Sequence, residues 1–121
     1  METPSSTLLP AGEAAALALA EATQFSDKGI VSRALLQADG LRVTLFGFAA
    51  GQELTEHASP ARALVQILTG RSEWTVAGKP RVLAAGEILH MPPGTPHAVR
   101  APEPFSMLLT LVRERPAVAK K

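Results

Sequence analysis

The chain has 121 residues, of which 46% are hydrophobic and 19% charged, so we expect one domain with a buried core rather than a disordered chain. Twelve basic residues nearly balance eleven acidic ones, and a net charge of +1 argues against a nucleic-acid partner. Cysteine is absent, which excludes disulfides, thiolate metal sites and a cysteine nucleophile.

Residues 1–29 are predicted to form an N-terminal arm with one short helix. The first ten residues hold two prolines and several Ser and Thr residues, which is typical of a loose arm. Residues Ala11–Thr23 are rich in Ala, Leu and Glu, which favour a helix. That stretch is too short to span a membrane, and the start Met1-Glu2 lacks the positive charge of a secretory signal. We therefore expect a soluble, cytoplasmic protein with no membrane partner.

Residues 30–113 are predicted to form an all-β barrel, because short apolar runs alternate there with regularly spaced turn signals. Ile30–Ala38 and Leu41–Ala49 flank Asp39-Gly40, a strong hairpin signal. The pair Pro92-Pro93 ends a later strand, because proline cannot donate a ladder hydrogen bond. Residues 114–121 are predicted to be a disordered tail. The other predicted strands are Leu64–Thr69, Ser72–Ala77, Glu87–Met91 and Phe105–Arg113.

The three histidines are the residues with the most general metal-binding chemistry, since an imidazole nitrogen can hold zinc, iron, copper or nickel. His57 lies at the end of one predicted strand, and His97 closely follows the Pro-Pro-Gly turn. Both positions adjoin turns, where small barrels open to solvent. His90 lies inside a predicted strand, and alternation alone does not say which face it occupies.

Two spaced motifs carry a family resemblance. Gly51-x5-His57-x-Ser59-x3-Ala63-x6-Gly70 resembles the first motif of the cupins, G-x5-H-x-H-x(3,4)-E-x6-G, and Gly86-x5-Pro92-x-Gly94-x2-His97 resembles the second, G-x5-P-x-G-x2-H-x3-N. The resemblance implies an all-β, double-stranded β-helix, the cupin jelly-roll barrel. It also implies a homodimer, which the supply of apolar residues on the predicted strands favours as well.

The resemblance further implies a ligand pocket at His57, Ser59 and His97. Metal-binding cupins hold the metal with three histidines and one glutamate; in this chain His57 and His97 are kept, Ser59 replaces the middle histidine, and Ala63 stands at the glutamate position. A divalent transition metal (Zn, Fe, Ni or Mn) would therefore rest on His57 and His97. His90 is a candidate third ligand, and Glu53, which shares strand parity with His57, is another.

Three functions stay open at this point. The first is a metal-dependent enzyme on a small molecule, with oxygenation, decarboxylation and isomerisation all compatible with the family. The second is a non-catalytic, metal-free module that binds or senses a small-molecule ligand, which the missing glutamate favours. The third is an interaction scaffold with no working pocket.

Overall fold

The computed structural model describes residues 7–114, so most of the predicted tail lies outside the described residues. The strands Lys79–Ala84 (β6) and His97–Arg100 (β8) were not predicted; β8 has four residues, and β6 contains a proline, which is tolerated because β6 lies at a sheet edge. The elements are α1 Leu19–Ala22, β1 Val31–Ala38, β2 Leu41–Phe48, β3 Glu53–His57, β4 Arg62–Thr69, β5 Arg71–Val76, β6 Lys79–Ala84, β7 Ile88–Met91, β8 His97–Arg100 and β9 Phe105–Val112.

The strands form two antiparallel sheets that face each other. One sheet has the order β1-β2-β9-β4-β7, and the other has the order β3-β8-β5-β6. The chain crosses repeatedly between the sheets, so strands that are adjacent in space are mostly distant in sequence, as in a jelly roll. The predicted all-β, double-stranded fold is confirmed.

The core lies between the sheets and follows the two-residue period of the strands. In β4, Ala63, Val65 and Ile67 are buried, whereas Leu64 and Gln66 point to solvent. Each fully buried large side chain contributes about 1.5–3 kcal/mol through removal of apolar surface from water. At the centre of the core, the rings of Phe48 and Phe105 stack with their centroids 4.4 Å apart. Around them pack Trp74, Leu89, Met91, Val99 and Met107.

The N-terminal segment covers the outer face of the five-stranded sheet. The backbone N–H groups of Leu8 and Leu9 donate to the carbonyls of Ala34 and Leu35, at 3.1 and 2.7 Å. A second apolar cluster forms under the segment, so the chain itself buries part of this face of the sheet. Its buried members are Ala22, Leu35 and Leu45, with Leu9, Leu17, Leu19, Val43, Leu68 and Leu108 packed around them.

The N-terminal helix is shorter than predicted. Only Leu19–Ala22 is helical; residues 11–18 are not, and of these only Leu17 packs against the apolar cluster while the others are exposed. Gly47 allows the segment to approach β2 closely, since a Cβ there would lie 2.0 Å from the carbonyl oxygen of Gln24. No helix within residues 7–114 has the length and apolar character that crossing a membrane requires.

Candidate ligand-binding site

The structure brings His57 and His97 together at one end of the barrel. They are partners in the register of β3 and β8, and their ring centroids lie 4.3 Å apart at an interplanar angle of 57°. His97 is half-buried, and its ring centroid lies 6.4 Å from that of the buried Trp74. His57 is exposed and forms the outer side of the pair.

A β-bulge in β3 turns His57 inward. Leu54 pairs with Val99, and His57 pairs with His97, so two residues of β3 stand opposite a single residue of β8. In a strand without a bulge, Leu54 and His57 would lie on opposite faces, because an even number of residues separates them. The bulge places both side chains on the face that lines the cavity, with Leu54 half-buried and His57 exposed at its end.

The bulge also changes the position predicted for Glu53. Glu53 was expected to share a face with His57 because the two residues have the same parity. The register shift between them breaks that parity, and Glu53 lies exposed on the outer face of the four-stranded sheet. Glu53 therefore does not supply a carboxylate to the histidine pair.

The same backbone contact fixes the tautomer of each ring in the pair. The Nδ1 atom of His57 lies 2.9 Å from the carbonyl oxygen of Thr55, and the Nδ1 atom of His97 lies 2.9 Å from that of Thr95. A carbonyl oxygen can only accept, so each Nδ1 carries the proton and donates it. In the neutral rings, both Nε2 atoms therefore keep a free lone pair.

A cavity of about 120 Å³ opens beside the two rings. Ser59 adds a hydroxyl group to its lining, and the remaining walls are apolar, so a polar end faces an apolar body, which is common in small-molecule sites. The apolar walls come from both sheets: Phe46, Leu54, Ala63, Val65, Trp74, Met91, Val99, Met107, Leu109 and Leu111.

Ser59 ties together the two loops at the mouth of this cavity. Its carbonyl oxygen accepts a hydrogen bond from the N–H of Gly94 at 2.8 Å, which joins the β3–β4 loop to the β7–β8 loop. Its Oγ accepts a hydrogen bond from the N–H of Ala61 at 3.1 Å. Gly94 has φ +83°, a conformation that favours glycine, so the turn at the mouth depends on that residue.

His90 lies away from the pair, on the outer face of the five-stranded sheet. Leu89 and Met91 point into the core, so alternation directs His90 outward. Its Nε2 accepts a hydrogen bond from Arg62 at 2.9 Å. Arg62 also pairs with Glu114, and that hydrogen bond holds the pKa of the Glu114 carboxyl below its usual range. His90 is therefore part of a surface cluster and not the third ligand that it was considered for.

The donor set does not fit the usual transition-metal centre. No group of three or more His, Asp or Glu side chains that could hold a metal is found among residues 7–114. The two positions where the motif would place further ligands carry Ser59 and Ala63, and both line the cavity. Metal centres in proteins generally use three or four side-chain ligands, and only two imidazoles are in position here.

A larger concave surface of about 630 Å³ lies on the outer face of the four-stranded sheet. An ion pair between Arg100 and Glu73, 2.9 Å apart, crosses it. No histidine lines this groove. The imidazole pair and the apolar enclosure therefore make the smaller interior cavity the candidate site.

Comparison with protein families agrees with the fold and with the motif positions. The Cupin domain model matches residues 44–112, more than half of the chain. The chain belongs to the cupin family. The matched region begins within β2, ends with β9 and contains both histidines of the pair, so the site lies within the cupin domain.

Solved structures with the same fold include proteins with and without an assigned activity. A conserved protein of unknown function from Streptococcus pyogenes is 34% identical, with 94% of this cupin and 100% of that chain covered and a TM-score of 0.78. A cupin superfamily protein from Desulfitobacterium hafniense is 26% identical, with 92% of this chain and 100% of that chain covered and a TM-score of 0.79. A DMSP lyase from Ruegeria pomeroyi is 26% identical, with 74% of this chain and 50% of that chain covered and a TM-score of 0.67. Comparison with curated proteins finds no match.

Proposed function

We propose that this cupin binds a small, mainly apolar molecule in the barrel cavity and that His57 and His97 accept hydrogen bonds from its polar group. The observation that carries the proposal is the pair of backbone contacts from Nδ1 to Thr55 and Thr95. Those contacts leave two Nε2 acceptors at the polar end of an apolar cavity. The complementary ligand group is a hydroxyl or an N–H.

The cavity limits the size of the group that enters it. A volume of about 120 Å³ equals roughly four times the space that one water molecule takes in the liquid. Pockets for drug-sized ligands are several times larger, at about 300–1,000 Å³. The bound molecule is therefore a small one, or it places only one part of itself between the sheets and leaves the rest at the mouth.

The metal-dependent alternative has less support from the donor set. Two neutral imidazoles with free Nε2 atoms resemble metal-binding histidines, whose other ring nitrogen commonly donates to a backbone carbonyl. They lack the third protein ligand that such centres generally have. We therefore favour metal-free ligand binding, in which the bound molecule is held by hydrogen bonds and is not converted.

The experiment titrates the protein with cyclohexanol and with cyclohexane, which lacks the hydroxyl group. Trp74 is the single tryptophan and lines the cavity, so its fluorescence reports binding at this site. We expect cyclohexanol to bind more tightly than cyclohexane. His57→Phe or His97→Phe should weaken cyclohexanol binding about threefold to tenfold, the value of one hydrogen bond, without weakening that of cyclohexane.

His90→Phe is the matched control, because it makes the same exchange outside the cavity and should leave both affinities unchanged. Equal binding of the two compounds by the unaltered protein would contradict the proposal. Copurification of about one equivalent of a transition metal, in protein prepared without a metal affinity step, would favour the metal-dependent alternative.

A further inference from the structure

A polar basin of about 580 Å³ adjoins the cavity at the mouth of the barrel. Ser59 and Leu111 line both spaces, so the cavity and the basin share a boundary. The β1–β2 hairpin and the end of β9 form the rest of the basin, and two arginines, Arg42 and Arg113, lie in its lining. No role has been assigned so far to either arginine.

Strand alternation places each arginine at the end of an inward-facing column. On β2 the column runs from Phe46, in the cavity wall, through Thr44 to Arg42. Arg42 is the register partner of Leu111, which also lines the cavity. This column of β2 therefore changes from the apolar ring of Phe46 to the guanidinium group of Arg42 at the mouth of the barrel.

The second column lies on β9 and its extension. It runs from Leu109 through Leu111, both in the cavity wall, to Arg113 just beyond the strand. The N–H of Arg113 donates to the carbonyl of Gly40 at 2.8 Å, which holds this end of the chain against the hairpin. The side chain of Arg113 thus lines the basin from a fixed point of the backbone.

The charge of the basin favours an anion. No ion pair or side-chain hydrogen bond of Arg42 or Arg113 is found among residues 7–114, unlike the arginines at 62, 71 and 100, which all pair with a glutamate. Asp39 also lines the basin, so two guanidinium groups stand against one carboxylate. Guanidinium groups bind carboxylates with two parallel hydrogen bonds and stay charged at all physiological pH values.

We infer that Arg42 and Arg113 bind the carboxylate of an amphiphilic organic acid whose apolar body extends into the cavity and whose hydroxyl or N–H group reaches His57 and His97. The inference rests on the proposed function and adds the ligand class to it. A molecule of this kind matches three adjoining surfaces, which are the two guanidinium groups of the basin, the apolar walls of the cavity, and the imidazole pair on the opposing sheet.

The probes are a homologous series of ω-hydroxycarboxylates and the diols of equal chain length, with affinities measured by isothermal titration calorimetry. We expect one member of the acid series to bind at least tenfold more tightly than its diol, and we expect that preference to shrink as salt is added. The double variant Arg42→Gln, Arg113→Gln should lose the preference for the acid and keep the affinity for the diol.

The control is Arg71→Gln, Arg81→Gln, which removes the same net charge from exposed positions outside the basin and should keep the preference. Equal binding of acid and diol by the unaltered protein would overturn the ligand class while leaving the proposed function in place. Loss of the preference in the control variant as well would reduce the effect to net charge and overturn the role of the two arginines. Failure of every acid and every diol to bind would contradict the proposed function, and the ligand class with it.

Discussion

His57 and His97 are register partners on adjacent strands, and each ring donates its Nδ1 proton to the carbonyl oxygen of the residue two positions before it. The two contacts are alike in atom, spacing and length, although Thr55 lies on β3 and Thr95 lies in the β7–β8 loop. This near-symmetry aligns two acceptors toward one small space. It is the feature on which the chemistry of the site depends.

The tautomers can be tested directly by NMR. Long-range proton–nitrogen spectra of the neutral rings should show His57 and His97 protonated at Nδ1, because a carbonyl acceptor lies 2.9 Å from that atom in each ring. Binding of cyclohexanol should shift the two Nε2 signals more than the two Nδ1 signals. Protonation at Nε2 in either free ring would contradict the arrangement.

The missing metal ligands can be restored. Ser59→His with Ala63→Glu places a third imidazole and a carboxylate at positions that already line the cavity. We expect the double variant to bind about one equivalent of Zn, Fe, Ni or Mn, because four protein ligands are then available. The measurement is metal content after dialysis, together with the rise in Tm on adding metal.

Ser59→His with Leu64→Glu is the control for that variant. Leu64 is next to Ala63 but points outward, so its replacement adds the same charge outside the cavity. This control offers three imidazoles and should bind metal more weakly than the four-ligand variant, whereas the unaltered protein, with two, should bind less than about a tenth of an equivalent. Equal metal affinity of the two double variants would show that the added carboxylate does not reach the site.

The sequence predicts the histidine pair and misses the arginines, for physical reasons. The motif spacing identified His57 and His97 because both lie next to turns whose glycines and prolines are visible in the sequence. Arg42 and Arg113 belong to no motif. In the sequence, Arg42 shares the alternation of Phe46, and Arg113 shares that of Leu111. Alternation identifies residues on the same face but does not say which face is inside the barrel.

Other features could not be predicted because they depend on contacts between distant residues. The bulge before His57 shows only in the register against β8, since Thr55 and Glu56 are ordinary strand residues. Residues 11–18 have helical composition but are not helical, and only Leu17 among them packs against the sheet, which composition does not reveal. The orientation of His90 follows from the burial of its two neighbours on β7.

A buried serine supports the tryptophan in the cavity wall. Ser72 accepts a hydrogen bond from Nε1 of Trp74 at 2.8 Å and donates one to the carbonyl of Leu83 at 3.0 Å. Ser72→Ala should destabilise the protein by about 2 kcal/mol, because it leaves a buried donor and a buried acceptor unsatisfied. Urea unfolding measures the change; Ser32→Ala, at an exposed strand position, should be nearly neutral.

Close packing of the N-terminal segment makes Gly47 sensitive to substitution. Gly47→Ala would place a methyl group 2.0 Å from the Gln24 carbonyl oxygen, so the segment must move away from the sheet. We expect a loss of about 2 kcal/mol in unfolding free energy and faster hydrogen exchange at the amides of Leu8 and Leu9. Gly29→Ala meets no atom within 4 Å and serves as the control. An unchanged exchange rate in Gly47→Ala would contradict this packing.

We also propose that the protein is a homodimer in solution. The N-terminal segment leaves part of the five-stranded sheet uncovered, where Ile88 on the edge strand is 60% exposed and Leu64 beside it is 37% exposed. Apolar side chains at a sheet edge favour association with a second copy. Light scattering should give twice the monomer mass, and Ile88→Lys should shift it toward the monomer. A monomeric mass at micromolar concentration would contradict the proposal.

The bulge in β3 makes the interior of the barrel sensitive to strand register as well as to residue type. Thr55 and Glu56 both stand opposite Ala98, which keeps Leu54 and His57 on one face although an even number of residues separates them. Pairing the same strand without the bulge would turn His57 to the solvent side, with no substitution at the histidine itself. A deletion of one of the two residues would instead keep His57 inward through plain alternation. The number of residues between Leu54 and His57, taken together with the register against β8, is thus a criterion for which homologues share this chemistry.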